Sequence, residues 1–114
     1  VRNTKKRTKY SNVKVIIDGI KIDSKKEGAH YYKLKDQLAA GKISNLTLQP
    51  KFDIAQSVIL DGTKRRIRYY IADFSYIDSA GKLVVEDVKG FKTEMYKLKR
   101  HLVKEIHGIE VVEI

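Results

Sequence analysis

The stretch IRYYIADFSYIDSAGKLVVEDVK, residues 67–89, decides the fold. Residues 67–77 are rich in Ile and Tyr, Ser79-Ala80-Gly81 has turn composition, and residues 83–89 form a second apolar run. This pattern predicts two antiparallel strands joined by a short loop. Apolar residues fall on both faces of the pair: Ile67, Ile71, Leu83 and Val85 on one, Ala72, Phe74, Val84 and Val88 on the other. A sheet that is apolar on both sides has to be covered on both sides, which calls for a helix on each. With a three-residue loop, paired residue numbers sum to 160 and Asp73 stands opposite Asp87. A slip of one residue pairs Asp73 with Glu86 or Val88 instead.

Downstream, Gly90 breaks the run and residues 93–107 read as a helix, with Met95, Leu98, Leu102 and Ile106 as its apolar stripe. Gly108 ends it, and residues 109–114 alternate like a last strand, which after a helical crossover returns parallel to the strand it left. Upstream, residues 46–48 and 52–60 read as strand, with Pro50 best tolerated at an edge, and Asp61-Gly62 as a turn. Ser24-Lys25-Lys26-Glu27 is a capping-box pattern that opens a helix over residues 24–40. Ala29, Tyr32, Leu34, Leu38 and Ala39 give that helix an apolar side, and Gly41 a C-terminal cap. Residues 13–17 and 20–22, around Asp18-Gly19, read as a hairpin. The order is hairpin, helix, three strands, helix, strand: an α/β fold with a mixed sheet and a helix on each face. Residues 1–12 form a basic arm and residues 13–114 a single domain.

Composition narrows the function. The 114 residues carry 24 Lys and Arg against 14 Asp and Glu, a net charge of +10, and no cysteine. Disulfide scaffolds, thiolate metal sites and cysteine nucleophiles are thereby excluded. The basic balance favours a polyanionic partner. Arg2, Lys5, Lys6, Arg7, Lys9 and Lys14 occupy the first fourteen residues with no acid among them, as a phosphate-binding arm or a solvated terminus. No apolar run approaches the roughly 20 residues of a membrane helix, and no secretory signal is visible. A soluble intracellular protein is expected.

The candidate chemistry lies in the acids of residues 67–89. Carboxylates facing each other across a ladder repel unless a cation sits between them, and both acids interrupt apolar strands. Lys89, two residues beyond Asp87, shares its face. Oxygen ligands with an ammonium close by suit a hard ion such as Mg²⁺ and phosphodiester hydrolysis. The competing reading makes Asp73 and Lys89 a structural salt bridge, with Asp87 merely ending a strand. Glu86 points to the opposite face and stays outside the site. His30, His101 and His107 have no common ligand spacing and read as surface or DNA-facing residues. The seven tyrosines read as core or rim rather than as base-stacking platforms. Lys97, Lys99, Arg100 and Lys104 read as a solvated helix face, with phosphate contact as the alternative. Lys64, Arg65, Arg66 and Arg68 are better placed for phosphate, Arg66 and Arg68 alternating onto one face.

Asp73-Phe74, a hairpin, then Asp87-Val88-Lys89-Gly90 resembles the signature of the PD-(D/E)XK nuclease superfamily, whose core is also helix, three strands, helix, strand. More narrowly, Asp23-Ser24-Lys25-Lys26-Glu27, Leu48-Gln49-Pro50-Lys51-Phe52, Tyr70-Ile71-Ala72-Asp73-Phe74 and Glu86-Asp87-Val88-Lys89-Gly90 resemble small phage-encoded endonucleases of that superfamily, from about residue 10 onward. The chain is also similar to the archaeal-type Holliday-junction resolvases in size, basic surface and a helix-one glutamate. The resemblance implies a restriction-endonuclease-like αβββαβ core behind an N-terminal β-hairpin. It implies that Asp73 and Asp87 are the two motif acids and Lys89 the motif lysine. Glu27 matches the helix-one acid, and Gln49 a strand glutamine beside the site. The metal shell would be Asp73, Asp87, Glu27 and the Val88 backbone carbonyl. Glu27 is equally the N3 residue of the capping box, and Gln49 equally a partner for strand backbone. Two positions depart from the pattern: Ala72 stands where the motif proline would be, and the second acid is Asp rather than Glu. The Gln-x-x-x-Tyr signature of the exonuclease branch is absent after Lys89.

The expected function is that of a Mg²⁺-dependent DNA endonuclease, with Mn²⁺ as a substitute, selective for Holliday junctions or other branched DNA in phage recombination or replication. Symmetric cutting of a junction implies a homodimer, and a phage-encoded enzyme would act in the host cytoplasm. Recognition would rest on shape and phosphate, since core and arm leave no room for a separate sequence-reading domain. Arg2, Lys5, Lys6, Arg7, Lys9, Lys25, Arg66 and Arg68 are the expected nucleic-acid contacts. The alternatives are a less selective nuclease acting on several DNA or RNA forms, and a non-catalytic basic nucleic-acid-binding module.

Overall fold

A computed structural model describes residues 15–17, 20–22 and 24–114. Strands β1 (Val15–Ile17) and β2 (Ile20–Ile22) pair antiparallel with Ile17 opposite Ile20, as the Asp-Gly pair between them predicts. Helix α1 (Lys25–Ala39) starts where the Ser24 hydroxyl accepts the Glu27 N–H at 3.0 Å.

The central sheet has four strands in the order β10-β9-β8-β3: β3 (Ser44–Leu48), β8 (Phe74–Ile77), β9 (Leu83–Asp87) and β10 (Val112–Glu113). Helix α2 (Glu94–His107), capped by the Thr93 hydroxyl and ended by left-handed Gly108, makes the crossover from β9 to β10, which pair in parallel as expected. The chain order α1-β3-β8-β9-α2-β10 is helix, three sheet strands, helix, strand. The fold is therefore a mixed α/β fold with a two-sided sheet. Neither described helix is long and apolar enough to cross a membrane.

Between β3 and β8 the chain makes an excursion: β4 (Lys51–Ala55), β5 (Val58–Leu60), β6 (Thr63–Arg65) and β7 (Arg68–Ile71). β4 pairs with β7, and β5 with β6 around Asp61 and Gly62, whose φ values of 51° and 75° make the tight left-handed hairpin turn that an Asp-Gly pair favours. The expected single strands over 52–60 and 67–77 are thus each broken. The second break, at Ala72 and Asp73, has an identifiable cause. Opposite it lie Gln49, left-handed at φ 53°, and Pro50, which has no N–H to give the ladder. The chain is tied there by Gln49 N–H to Asp73 O at 2.9 Å and Ala72 N–H to Pro50 O at 3.0 Å.

That break changes the phase of the strand. Tyr70 and Ala72 pack with Val85, Tyr96, Val103, Val111 and Ile54 on the α2 side, while Phe74 packs with Tyr31, Leu34 and Ile43 on the α1 side. Complete burial of side chains such as Phe74, Leu34 and Val103 stabilises the fold by about 1.5–3 kcal/mol each. The expected faces need correction accordingly: Ala72 belongs with Val85 rather than with Phe74, and Ile71 and Leu83 are exposed.

Both helices are also rotated relative to expectation. α1 buries Glu27, Gly28, Tyr31 and Leu34 and leaves Tyr32 and Leu38 outside. α2 buries Tyr96 and Val103, whereas Met95, Leu98 and Ile106 of the expected stripe are at least half exposed. An aromatic ring and a β-branched side chain fill the space over Val85 and Val111, and of the expected stripe only Leu102 packs against them.

Candidate functional site

The β8–β9 register runs from Ile77 opposite Leu83 to Phe74 opposite Glu86, so paired numbers sum to 160 as the three-residue loop requires. The loop is held by Asp78, whose Oδ1 accepts the Ala80 and Lys82 N–H groups, both at 2.9 Å. The ladder ends one pair short of Asp73 and Asp87. Past it, Asp73 N–H donates to Glu86 O at 3.1 Å, and the Asp73 and Asp87 side chains meet where β8 begins and β9 ends.

Asp87 is 1% exposed and accepts a short hydrogen bond from the Tyr70 hydroxyl on Oδ2. Lys89 Nζ lies 3.7 Å from the same oxygen and 4.4 Å from the centre of the Tyr96 ring. The lysine thus pairs with Asp87 rather than with Asp73, as the competing salt-bridge reading has it. Asp73 is hydrogen-bonded to Asp87 and accepts the Val88 N–H on Oδ2 at 2.7 Å. Burial, that bond and the charges of Asp87 and Glu27 push its carboxyl up to about 8, against the lowering effect of the Val88 N–H. Burial, and then the bond to Asp87, likewise push the Tyr70 hydroxyl far up, so it stays a donor. At neutral pH the two aspartates therefore hold a proton between them, where a cation would do the same electrostatic work.

Glu27 is 5% exposed, the third residue of a helix whose first two, Lys25 and Lys26, are exposed, and its charge is felt at Asp73. Its backbone N–H makes the cap with the Ser24 hydroxyl. Gln49 contributes its backbone N–H to Asp73 O, and the residue is exposed. Among the described residues no three His, Asp or Glu side chains converge into a ready-made metal cage. A buried and a half-buried carboxyl sharing a proton, with a third acid close enough to act on one of them, are nonetheless a donor set that fits a hard divalent ion.

Of the expected nucleic-acid contacts, Lys25, Arg66 and Arg68 are exposed, and Arg2, Lys5, Lys6, Arg7 and Lys9 lie outside the described residues, as does Lys14. Arg100 is a structural residue that donates twice to Val111 O, while Lys97 and Lys104 pair with Glu94 and Glu110. The expectation of His30 as a surface residue is corrected: its Nε2 lies 2.6 Å from Glu86 Oε1, and Tyr76 donates to the other carboxylate oxygen at 2.6 Å. Glu86 thus sits on the α1 side, opposite Asp87, as alternation requires.

Tyr70 is the residue that the sequence did not single out. Extending the 160 register carries it opposite Gly90, beside Lys89, and that is the signal that could have found it. Tyr70 and Lys89, the two residues that contact Asp87 Oδ2, also line a recess of about 260 Å³ with Tyr69, Ile71, Met95 and Lys99. A larger groove of about 660 Å³ borders α2; of its acids Glu105, Glu110 and Glu113, the last two already face Lys104, Lys92 and Arg100.

No curated protein and no solved structure matches the chain. Residues 7–110, nearly its whole length, match the family described as Protein of unknown function (DUF1064), and the chain belongs to that family.

Proposed function

We propose that the chain is a Mg²⁺-dependent endodeoxyribonuclease, with Mn²⁺ able to substitute, that hydrolyses phosphodiester bonds in branched DNA such as four-way junctions. The observation that carries this reading is the pairing of half-buried Asp73 with fully buried Asp87, with Lys89 beside it. Asp73, Asp87, Glu27 and the Val88 carbonyl would hold the ion, which supplies a Lewis acid for the phosphate and a water of lowered pKa. Tyr70 fixes one oxygen of Asp87 and keeps that carboxylate in a single orientation. Lys89, steadied over the Tyr96 ring, places a positive charge where negative charge develops on the phosphate. Gln49 and Pro50 set the backbone of Asp73 through the break in the strand. Exposed Lys25, Arg66 and Arg68 bind flanking phosphates, and cutting a junction symmetrically takes two such sites in a homodimer.

One observation favours a second reading. Asp73 and Asp87 satisfy each other through a shared proton, so the pair can be a structural element of a basic binding module. Asp87→Asn separates the two. Assayed with Mg²⁺ on junction, duplex and single-stranded DNA of matched sequence, the variant should lose cleavage and keep DNA binding. Cleavage at the wild-type rate would overturn the nuclease reading, and equal cutting of all three substrates by the wild type would replace junction selectivity with a general nuclease.

A further inference from the structure

The hairpin of β5 and β6 has a composition that its place in the fold does not explain. Among the described residues neither strand packs against any other helix or strand, and an isolated two-stranded ribbon gains little from its own pairing. Yet it exposes three consecutive large aliphatics: Val58 by 53%, Ile59 by 69% and Leu60 by 54%. Residues 56–68 also carry Lys64, Arg65, Arg66 and Arg68 against one acid, Asp61. The register sets Ile59 beside Lys64 on one face, and Val58 and Leu60 beside Arg65 and Thr63 on the other. Each face therefore presents both aliphatic and cationic groups.

Two occupants fit poorly. A second copy of the chain docked on this ribbon would set one cluster of four cations against another. A lipid surface selects a ribbon with an apolar face and a cationic face, not one mixed on both. A nucleic-acid groove fits, because its floor offers apolar base edges, including thymine methyls, while phosphates line both walls. The major groove of B-DNA, about 12 Å wide, admits a two-stranded ribbon.

We infer that the β5–β6 hairpin is a DNA-reading ribbon that lies in the major groove of a duplex arm, with Val58, Ile59 and Leu60 on base edges and Lys64, Arg65 and Arg66 on phosphates. This rests on the proposal that DNA is the substrate and adds how its arm is held. Ten residues separate Thr63 from Asp73 along β6 and β7, so at about 3.3 Å per residue the tip reaches up to about 33 Å, one helical turn, from the aspartates.

The test uses the full chain in EDTA, where cutting is blocked, with fluorescent junction and duplex DNA and dimethyl sulfate footprinting of guanine N7, a major-groove atom. The wild type should protect guanines within about one turn of the cut position. The Val58→Ser/Ile59→Ser/Leu60→Ser variant should lose that protection and bind at least tenfold more weakly with an unchanged salt slope. The Lys64→Gln/Arg65→Gln/Arg66→Gln variant should reduce the slope of log affinity against log salt by about 2.7. Wild-type affinity and footprint in both variants would overturn the inference. So would loss of a sedimenting dimer, or of binding to anionic vesicles, while DNA affinity holds. The nuclease reading fails separately: if Asp87→Asn still cuts while the ribbon variants lose DNA, the groove contact stands without it.

Discussion

Glu86 and Asp87 are adjacent in the chain and both are buried, yet they sit in opposite electrostatic situations. Glu86 faces α1, where His30 and Tyr76 each contact one of its oxygens at 2.6 Å. Asp87 faces the other side, where it meets Asp73, Tyr70 and a lysine at 3.7 Å. The first carboxylate is satisfied by groups that donate to it. The second is set against another acid, an arrangement that costs stability unless a proton or a cation lies between them. The difference separates a residue that holds the fold from one to which the proposed function gives a chemical role, although burial alone would class them together.

The largest effect that would break this comparison is on catalysis. Asp87→Asn should lower the cleavage rate at least about 10³-fold, roughly 4 kcal/mol in transition-state terms, with thermal stability unchanged or raised. Glu86→Gln should leave cleavage within about tenfold. Equal losses in the two would erase the distinction.

Next is the pH dependence of stability without divalent ions. The Asp73 pKa is raised from 3.8 to about 8 by folding, so between these values the unfolded chain releases a proton that the folded chain keeps. Stability should fall as pH rises from about 4 to about 8, by a few kcal/mol, and level off above. Asp73→Asn should flatten that fall in urea titrations across the range. A wild type whose stability rises over the same window would contradict the assignment.

Smaller, and on the other face, Glu86→Ala should destabilise by about 2–3 kcal/mol, because His30 and Tyr76 lose a buried partner. Tyr70→Phe should cost about 1–2 kcal/mol and lower cleavage by about tenfold through disorder of Asp87. Denaturant melts with parallel cleavage rates would show whether the two faces respond differently.

The features legible in the sequence were those fixed by local chemistry. Asp-Gly turns, the Ser24 cap, the Gly108 stop and the short Asp78 loop follow from backbone preferences, and the loop alone set the register that brings Asp73 toward Asp87. The rotation of the helices was not legible, because α2 carries two apolar stripes and periodicity does not say which one meets the sheet. Val103 and Tyr96 win that position through the shape of the space over Val85 and Val111. The break at Asp73 was hidden because its cause, Gln49 and Pro50, lies in the connection between β3 and β4, more than twenty residues away. His30 escaped notice for a similar reason, since its partner Glu86 is distant in sequence.

The central claim is that the Asp73–Asp87 pair exchanges its shared proton for a divalent ion. Calorimetric titration of the wild type with Mg²⁺ or Mn²⁺ at pH 7, in two buffers of different ionisation enthalpy, measures both binding and proton release. Binding with nearly one proton released per ion, abolished in Asp87→Asn, is the predicted result. An absence of binding, or the same affinity in Asp87→Asn, would contradict it.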